Sequence, residues 1–233
     1  MAICLAISAC NPGGEAGNAE VALVESGRAL GICRLEPTSR HDDALLPAIE
    51  KVMDDAELSV SGLDQIVVTL GPGGFSATRI AVTTAACLAE SHSISLLGVP
   101  TSLALAVGTG KREDLDQEEG LVVLAWKRQT AWVQRVVLGR DATTRGEAEV
   151  LTLDSIGERC KAEKELHVVI DPACAREINA LSQRDRVWSP VFSAVAAARA
   201  SELVDAVDPE ELLPIYPREP EAVRKWRERA TTS

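Results

Sequence analysis

At 233 residues and 46% hydrophobic content, the chain can bury a core for one large or two small domains. Aromatic residues make up only 3%, so Ala, Val, Leu and Ile must fill that core. A net charge of −11 excludes a protein that grips a phosphate backbone unaided, because such affinity comes from lysine and arginine. Any nucleic acid would be reached through a partner.

Six cysteines (Cys4, Cys10, Cys33, Cys87, Cys160, Cys174) show no C-x-x-C spacing and read as free thiols of a reducing compartment. The opening LAISAC has the look of a lipoprotein cleavage box ending at Cys10. No basic residue precedes it and its apolar stretch is too short for a signal segment, so it reads as a strand. No stretch is long enough to span a bilayer, and a cytoplasmic protein is expected.

In chain order, Ala2 to Ser8 is a nearly continuous apolar run, the pattern of a central buried strand. Cys10 to Gly17 is a loop rich in turn formers. Ala19 to Glu25 and Arg28 to Arg34 make two further strands joined at Ser26-Gly27, giving an antiparallel meander. Ala44 to Leu58 has helical spacing, with Leu45, Ile49, Val52 and Ala56 on one stripe, Leu46 and Met53 beside it, and Asp42 and Asp43 at its start.

Asp64 to Leu70 is a β-branched strand, and Ser76 to Glu90 is a helix of mostly small residues. Between them runs Gly71-Pro72-Gly73-Gly74-Phe75, the turn around which the chain is organised. Ser76 is the expected N-cap. Such a turn can cradle a phosphate on free helix amides, or it can simply be a tight connection that lets a small-faced helix pack closely. No Walker lysine follows the glycines, so the segment is not a P-loop.

Ser93 to Val99 closes the first half as a strand. Lys111 to Gly120, the most polar stretch, is the candidate boundary. Beyond it come strands at Leu121–Trp126, Thr130–Leu138 and Gly146–Leu153. A helix at Ser155–Glu165, a strand at Leu166–Ile170, a helix at Cys174–Leu181 and a long alanine-rich helix at Ser193–Val207 follow. Two halves with the same general order predict a two-lobed α/β protein with mixed sheets. The expected organisation is an N-terminal lobe over 1–108, a C-terminal lobe over 109–207, and a tail over 208–233 that returns to the first lobe.

The catalytic inventory is thin. His41, His92 and His167 are far apart, and none forms H-x-x-x-H or H-E-x-x-H, so no metal site is assigned. There is no G-x-S-x-G, and Ser76 has no base near it in sequence. Cys10 or Cys87 could react, but cysteine on an alanine-rich helix usually packs. Lys127-Arg128 and the basic tail Arg224-Lys225-Trp226-Arg227-Glu228-Arg229 could touch phosphate, or be a solvated turn and helix end.

The segment GPGGFSATRIAVTTAACLAE resembles the GPGSFTGxRxGxxxAxGLA segment of the bacterial TsaB family, glycoprotease-like proteins of tRNA threonylcarbamoyladenosine biosynthesis. AICLAIS stands where the family has a first strand ending in Asp-Thr-Ser. His41-Asp42-Asp43-Ala44-Leu45-Leu46-Pro47 is similar to its His-Ser-Glu-x-Leu-Leu-Pro, Leu97 to Leu103 to its GVSSL, and Pro214-Ile215-Tyr216-Pro217-Arg218 to its Pro-x-Tyr-x-Arg.

The resemblance implies an actin-like fold of two lobes (the sugar kinase/Hsp70 superfamily). It also implies a non-catalytic scaffold for the catalytic homologue TsaD, working with the ATPase TsaE on the adenosine beside the anticodon. TsaD carries paired metal-binding histidines that this chain lacks. tRNA would be met only through the complex. No cofactor would be bound by this chain alone, with ATP or ADP held at the interface of the complex. The family's contact surface, which also forms homodimers, is built from the first two helices. Here it maps onto His41, Leu45, Ile49, Val52, Ala81, Thr84, Ala85 and Leu88; the alternative is that these stripes face the chain's own sheet.

There are departures. Ser8-Ala9-Cys10 replaces Asp-Thr-Ser, leaving Ser8 and Asp171 as remnants of phosphate loops. Gly74, Ser76 and Ala77 replace Ser, Thr and Gly, while Arg79 is kept. Ala125 to Thr130 stands where the family has Asp-Ala-Arg-Arg-Gly-Glu. The competing readings are an actin-fold ATPase or residual peptidase using Asp171, and a stand-alone regulatory homodimer.

Overall fold

The structure, a computed structural model, describes residues 2–9, 19–35, 41–181 and 184–218, apart from the side chains of 41–43. The loop expected at Cys10–Gly17 and the basic tail beyond Arg218 lie outside the described residues.

The first half forms a five-stranded sheet in the order β3-β2-β1-β4-β5. It comprises β1 (Ile3–Ser8), β2 (Glu20–Glu25), β3 (Arg28–Arg34), β4 (Gln65–Thr69) and β5 (Ser95–Val99). The first three pair antiparallel, while β4 and β5 add parallel. Helices α1 (His41–Asp55) and α2 (Phe75–His92) cover the outer face. There Leu5, Ile7, Val21, Leu23, Ile66 and Val68 meet Leu45, Ile49, Val52, Ala81 and Ala85. Full burial of each large aliphatic side chain there contributes about 1.5–3 kcal/mol before entropy is counted.

The second half repeats the plan in the order β10-β9-β6-β7-β8. Its strands are β6 (Glu118–Lys127), β7 (Thr130–Leu138), β8 (Thr143–Thr152), β9 (His167–Ile170) and the two-residue β10 (Val187–Trp188). Helices α4 (Leu153–Ala162) and α5 (Pro172–Arg176) pack on its outer face around Ile156, Cys160, Val168 and Ile170.

Between the sheets lies a third core. Ala6, Ala22 and Val67 from the first sheet and Val122, Trp132 and Val136 from the second close on α3 (Thr101–Arg112) and α6 (Ala194–Ala200). The layers therefore alternate helix, sheet, helix, sheet, helix.

Helix α3 carried no sequence signal. Leu103 to Val107 are all buried, and a helix held between two sheets is apolar all round and loses the 3.6-residue contrast that marks an amphipathic one. The boundary expected between 108 and 109 falls inside this helix, a correction: the chain crosses from one lobe to the other through the shared middle layer.

The alanine-rich helix is shorter than expected. It stops at Ala200, continues as a 3-10 turn over Ser201–Leu203, and then runs out so that the Val207 N–H donates to the Leu96 carbonyl on the edge of β5. Likewise α5 ends at Arg176, with a separate 3-10 turn at Asn179–Leu181. No helix among the described residues is long and apolar enough to cross a membrane.

Candidate functional site at the glycine turn

The turn after β4 is a tight connection with a lid made by the chain's own tail. Gly71 has φ +99, and a Cβ built there would lie 2.8 Å from the Ile215 carbonyl oxygen, so only glycine fits. The Ile215 N–H donates to the Leu70 carbonyl at 2.7 Å, and the Thr101 N–H to the Gly71 carbonyl at 2.9 Å. Leu212 packs over the neighbouring strand, where a Cβ at Gly98 would meet its Cδ1 at 2.6 Å. Residues 212–216 thus lie against the end of the sheet.

The expected N-cap is corrected. Helix α2 begins at Phe75, Gly74 is the capping residue in extended conformation without a side-chain bond, and Ser76 is exposed in the first turn. Pro72 is buried, and Gly73 and Gly74 are half-buried. The hydroxyls of Thr78 and Thr101, both beside Gly71, are buried without a partner among the described residues. Buried hydroxyls of that kind are ordinarily satisfied by ordered water.

Arg79 finds its partner in an aromatic ring. Its guanidinium carbon lies 4.8 Å from the centroid of Phe75, and Phe75 lies 4.8 Å from the ring of Tyr216. Such cation–π and tilted ring contacts are each worth about 0.5–1.5 kcal/mol.

Two residues on, Arg218 reaches into the second lobe. Its guanidinium donates to the Ala125 carbonyl (2.8 Å), the Thr130 carbonyl (2.9 Å) and Thr130 Oγ1 (2.8 Å). The Pro-x-Tyr-x-Arg stretch is therefore a strap: Ile215 and Tyr216 hold the first lobe, and Arg218 clasps both ends of the β6–β7 hairpin. Sequence reasoning placed these residues in a signature without their job. The signal lay in an aromatic and an arginine two apart, in a chain with few aromatics.

The docking stripe is corrected as well. Leu45, Ile49, Val52, Ala81 and Ala85 are at most 4% exposed and face this chain's own sheet. Thr84 and Leu88 are half-buried, and the His41 side chain lies outside the described residues. What α1 and α2 turn outward is Leu46, 55% exposed, with Pro47, Thr83 and Cys87.

The two phosphate-loop remnants lie in different sheets. Ser8 is buried at the end of β1 in the first sheet. Asp171, after β9 in the second, accepts the Ala173 N–H at 2.8 Å and caps α5. Of the histidines, His92 lies at the end of α2 with its Nδ1 3.2 Å from the Leu88 carbonyl oxygen. His167 is buried, and its Nδ1 accepts the Trp188 indole N–H at 2.9 Å. Desolvation first, and then Arg186, push its pKa below the usual histidine value. Burial drives the thiols of Cys4 and Cys174 up to about 12, which makes both poor nucleophiles. Cys87 is exposed, and Cys10 lies outside the described residues.

A charged group that sequence reading missed is Glu20. It is 6% exposed at the start of β2, and its Oε1 accepts the Ala194 N–H (2.9 Å) and the Ser193 hydroxyl (3.1 Å). It thereby caps α6 from the other end of the chain.

The family described as TsaD, tRNA N6-adenosine threonylcarbamoyltransferase, matches residues 29–200, well over half of the chain. The tRNA N6-adenosine threonylcarbamoyltransferase of Geobacillus thermodenitrificans is 37% identical over 83 residues, 35% of this chain and 24% of that protein. The tRNA threonylcarbamoyladenosine biosynthesis protein TsaB of Bacillus subtilis is 34% identical over 74 residues, 32% of each chain. The matched stretch thus spans about a quarter to a third of these curated relatives.

Two solved Pseudomonas aeruginosa structures share the fold. One, described as similar to peptidase YeaZ, has TM-score 0.74 at 22% identity and covers 94% of this chain and 100% of its own. The other, YeaZ, has TM-score 0.72 at 20% identity, with 93% and 100% covered. The two-lobed α/β class with mixed sheets read from the sequence is the class of this structure, with one five-stranded mixed sheet in each half.

Proposed function

Because this chain belongs to the tRNA N6-adenosine threonylcarbamoyltransferase (TsaD) family, we propose that it is a TsaB-like, non-catalytic subunit in threonylcarbamoyladenosine modification of tRNA. Its partner in this reading is a catalytic TsaD-like homologue, with a TsaE-like ATPase completing the machinery and any ATP or ADP held at the interface of the complex. The observation that carries the reading is the family match over residues 29–200, joined by 34% identity to a TsaB protein over 74 residues. Further support comes from the chemistry at the remaining candidates: Asp171 is a helix cap, and His92 and His167 sit in contacts within their own lobes.

The docking surface in this reading is the outward side of α1 and α2, centred on Leu46, Thr83, Thr84, Cys87 and Leu88 rather than on the buried stripe. The same surface serves a homodimer when the partner is absent. The test is co-purification with the catalytic homologue, followed by assay of the modified nucleoside. A Leu46→Glu, Thr83→Arg double variant is expected to fold normally, to lose the complex and to lose modification. A folded variant that still binds and supports modification would refute the surface. ATP hydrolysis by the purified chain, lost in Asp171→Ala, would refute the non-catalytic assignment.

A further inference from the structure

We propose that the strap and the β6–β7 hairpin form a stacking face for single-stranded RNA. This deepens the tRNA-modification reading and rests on it for the choice of RNA among polyanions.

Aromatic residues are 3% of this chain, with two Phe, one Tyr and four Trp. Three of them are large exposed side chains along one connected path: Phe75 at 44%, Tyr216 at 37% and Trp126 at 39%. Arg79 sits against Phe75, Phe75 against Tyr216, and Arg218, two residues further, holds the hairpin that carries Trp126. The Trp126 indole N–H donates to the Arg128 carbonyl at 2.7 Å, which pins the exposed ring beside its own turn.

Lys127 and Arg128 flank it, both exposed. Among the described residues neither these two nor Arg79 forms an ion pair. Aromatic faces alternating with free cations are the chemistry that binds single strands, since bases stack on rings while phosphates meet the charges. The face relies on base stacking and a few local charges rather than on the charge of the whole chain, so a short strand is held weakly and best at low salt.

The probe is a single-stranded hexanucleotide RNA, titrated into the full chain at 50 mM salt with tryptophan fluorescence as the readout. A hexaglutamate peptide and a duplex RNA serve as competitors. Quenching is expected with the single strand alone and is expected to vanish in Trp126→Ala. With Trp126 kept as the reporter, affinity is expected to fall about ten-fold in Tyr216→Ala, on losing one stacking ring. In Lys127→Ala/Arg128→Ala the slope of log affinity against log salt should fall by about 1.4, near 0.7 for each phosphate that is no longer neutralised.

No quenching in the parent protein, or quenching unchanged in all three variants, overturns the proposal. Equal competition by hexaglutamate also overturns it, in favour of an acidic protein partner. Assembly with the catalytic homologue is read separately by size-exclusion chromatography on the same preparation. Assembly without quenching refutes the RNA face alone, and quenching without assembly refutes the tRNA-modification reading on which it rests.

Discussion

Replacing Arg218 by alanine cuts the strap at its second-lobe end. Three hydrogen bonds disappear, at 2.8, 2.9 and 2.8 Å, all from a charged donor to the two ends of one hairpin. Hydrogen bonds to charged groups contribute about 1.5–3 kcal/mol each in protected settings. Here the carbonyls of half-buried Ala125 and Thr130 can recover water, so the net loss should be about 2–3 kcal/mol for the set. For a chain of this size that is a fall in melting temperature of roughly 4–10 °C. Arg218→Lys should recover less than half, because an ammonium cannot span both acceptors as a guanidinium does.

Amide hydrogen exchange separates this from a general loss of stability. Protection should drop first at 125–130 and at 215–218, before the central strands respond. A melting temperature within about 1 °C of the parent, or exchange at the hairpin unchanged, would refute the strap.

Other outcomes follow from the packing. Ala85→Trp should destabilise the chain by about 3 kcal/mol or abolish folding, since Ala85 is fully buried against its own sheet; a well-folded variant by circular dichroism would contradict that placement. Gly110→Ala should be more damaging than any exposed alanine exchange, because its Cβ would lie 2.3 Å from the Gly139 backbone nitrogen; chemical denaturation measures the cost, expected at roughly 3 kcal/mol or more. For His167 the folded pKa lies below the unfolded value of about 6.5, with desolvation first and Arg186 and Arg184 opposing protonation while Glu118 and Glu165 favour it. The unfolded chain then binds more protons, so stability falls as pH drops below about 6.5. The loss in melting temperature between pH 7.5 and 5.5 should shrink in His167→Gln, and an unchanged difference would remove His167 as its source.

Much of the outer fold was legible because its helices have one wet and one dry side and its central strands are short, nearly continuous apolar runs. The stripe at Leu45, Ile49 and Val52 gave α1, and the β-branched run before Gly71 gave β4. What remained hidden was helix α3 of the middle layer and everything set by distant neighbours. Helix α3 has no polar face to reveal it, and β10 is two residues long. Glu20 looks like an ordinary strand end until α6 arrives 174 residues later. At the candidate site, the turn itself could be read from its glycines, but the face of each helix could not. Small residues such as Ala81 and Ala85 suit a close partner and a close sheet equally well, and only the tertiary arrangement decides between them.

The middle layer also governs how far this protein can be taken apart. Helices α3 and α6 meet so closely that a Cβ on Gly108 would come within 3.1 Å of the Ala196 Cβ. Each sheet rests on this pair. A fragment ending at Arg112, after α3, would carry that helix with one flank bare and no α6 at all, so the two lobes are not separable modules. Chimeras that exchange halves between relatives should succeed only when α3 and α6 come from the same parent.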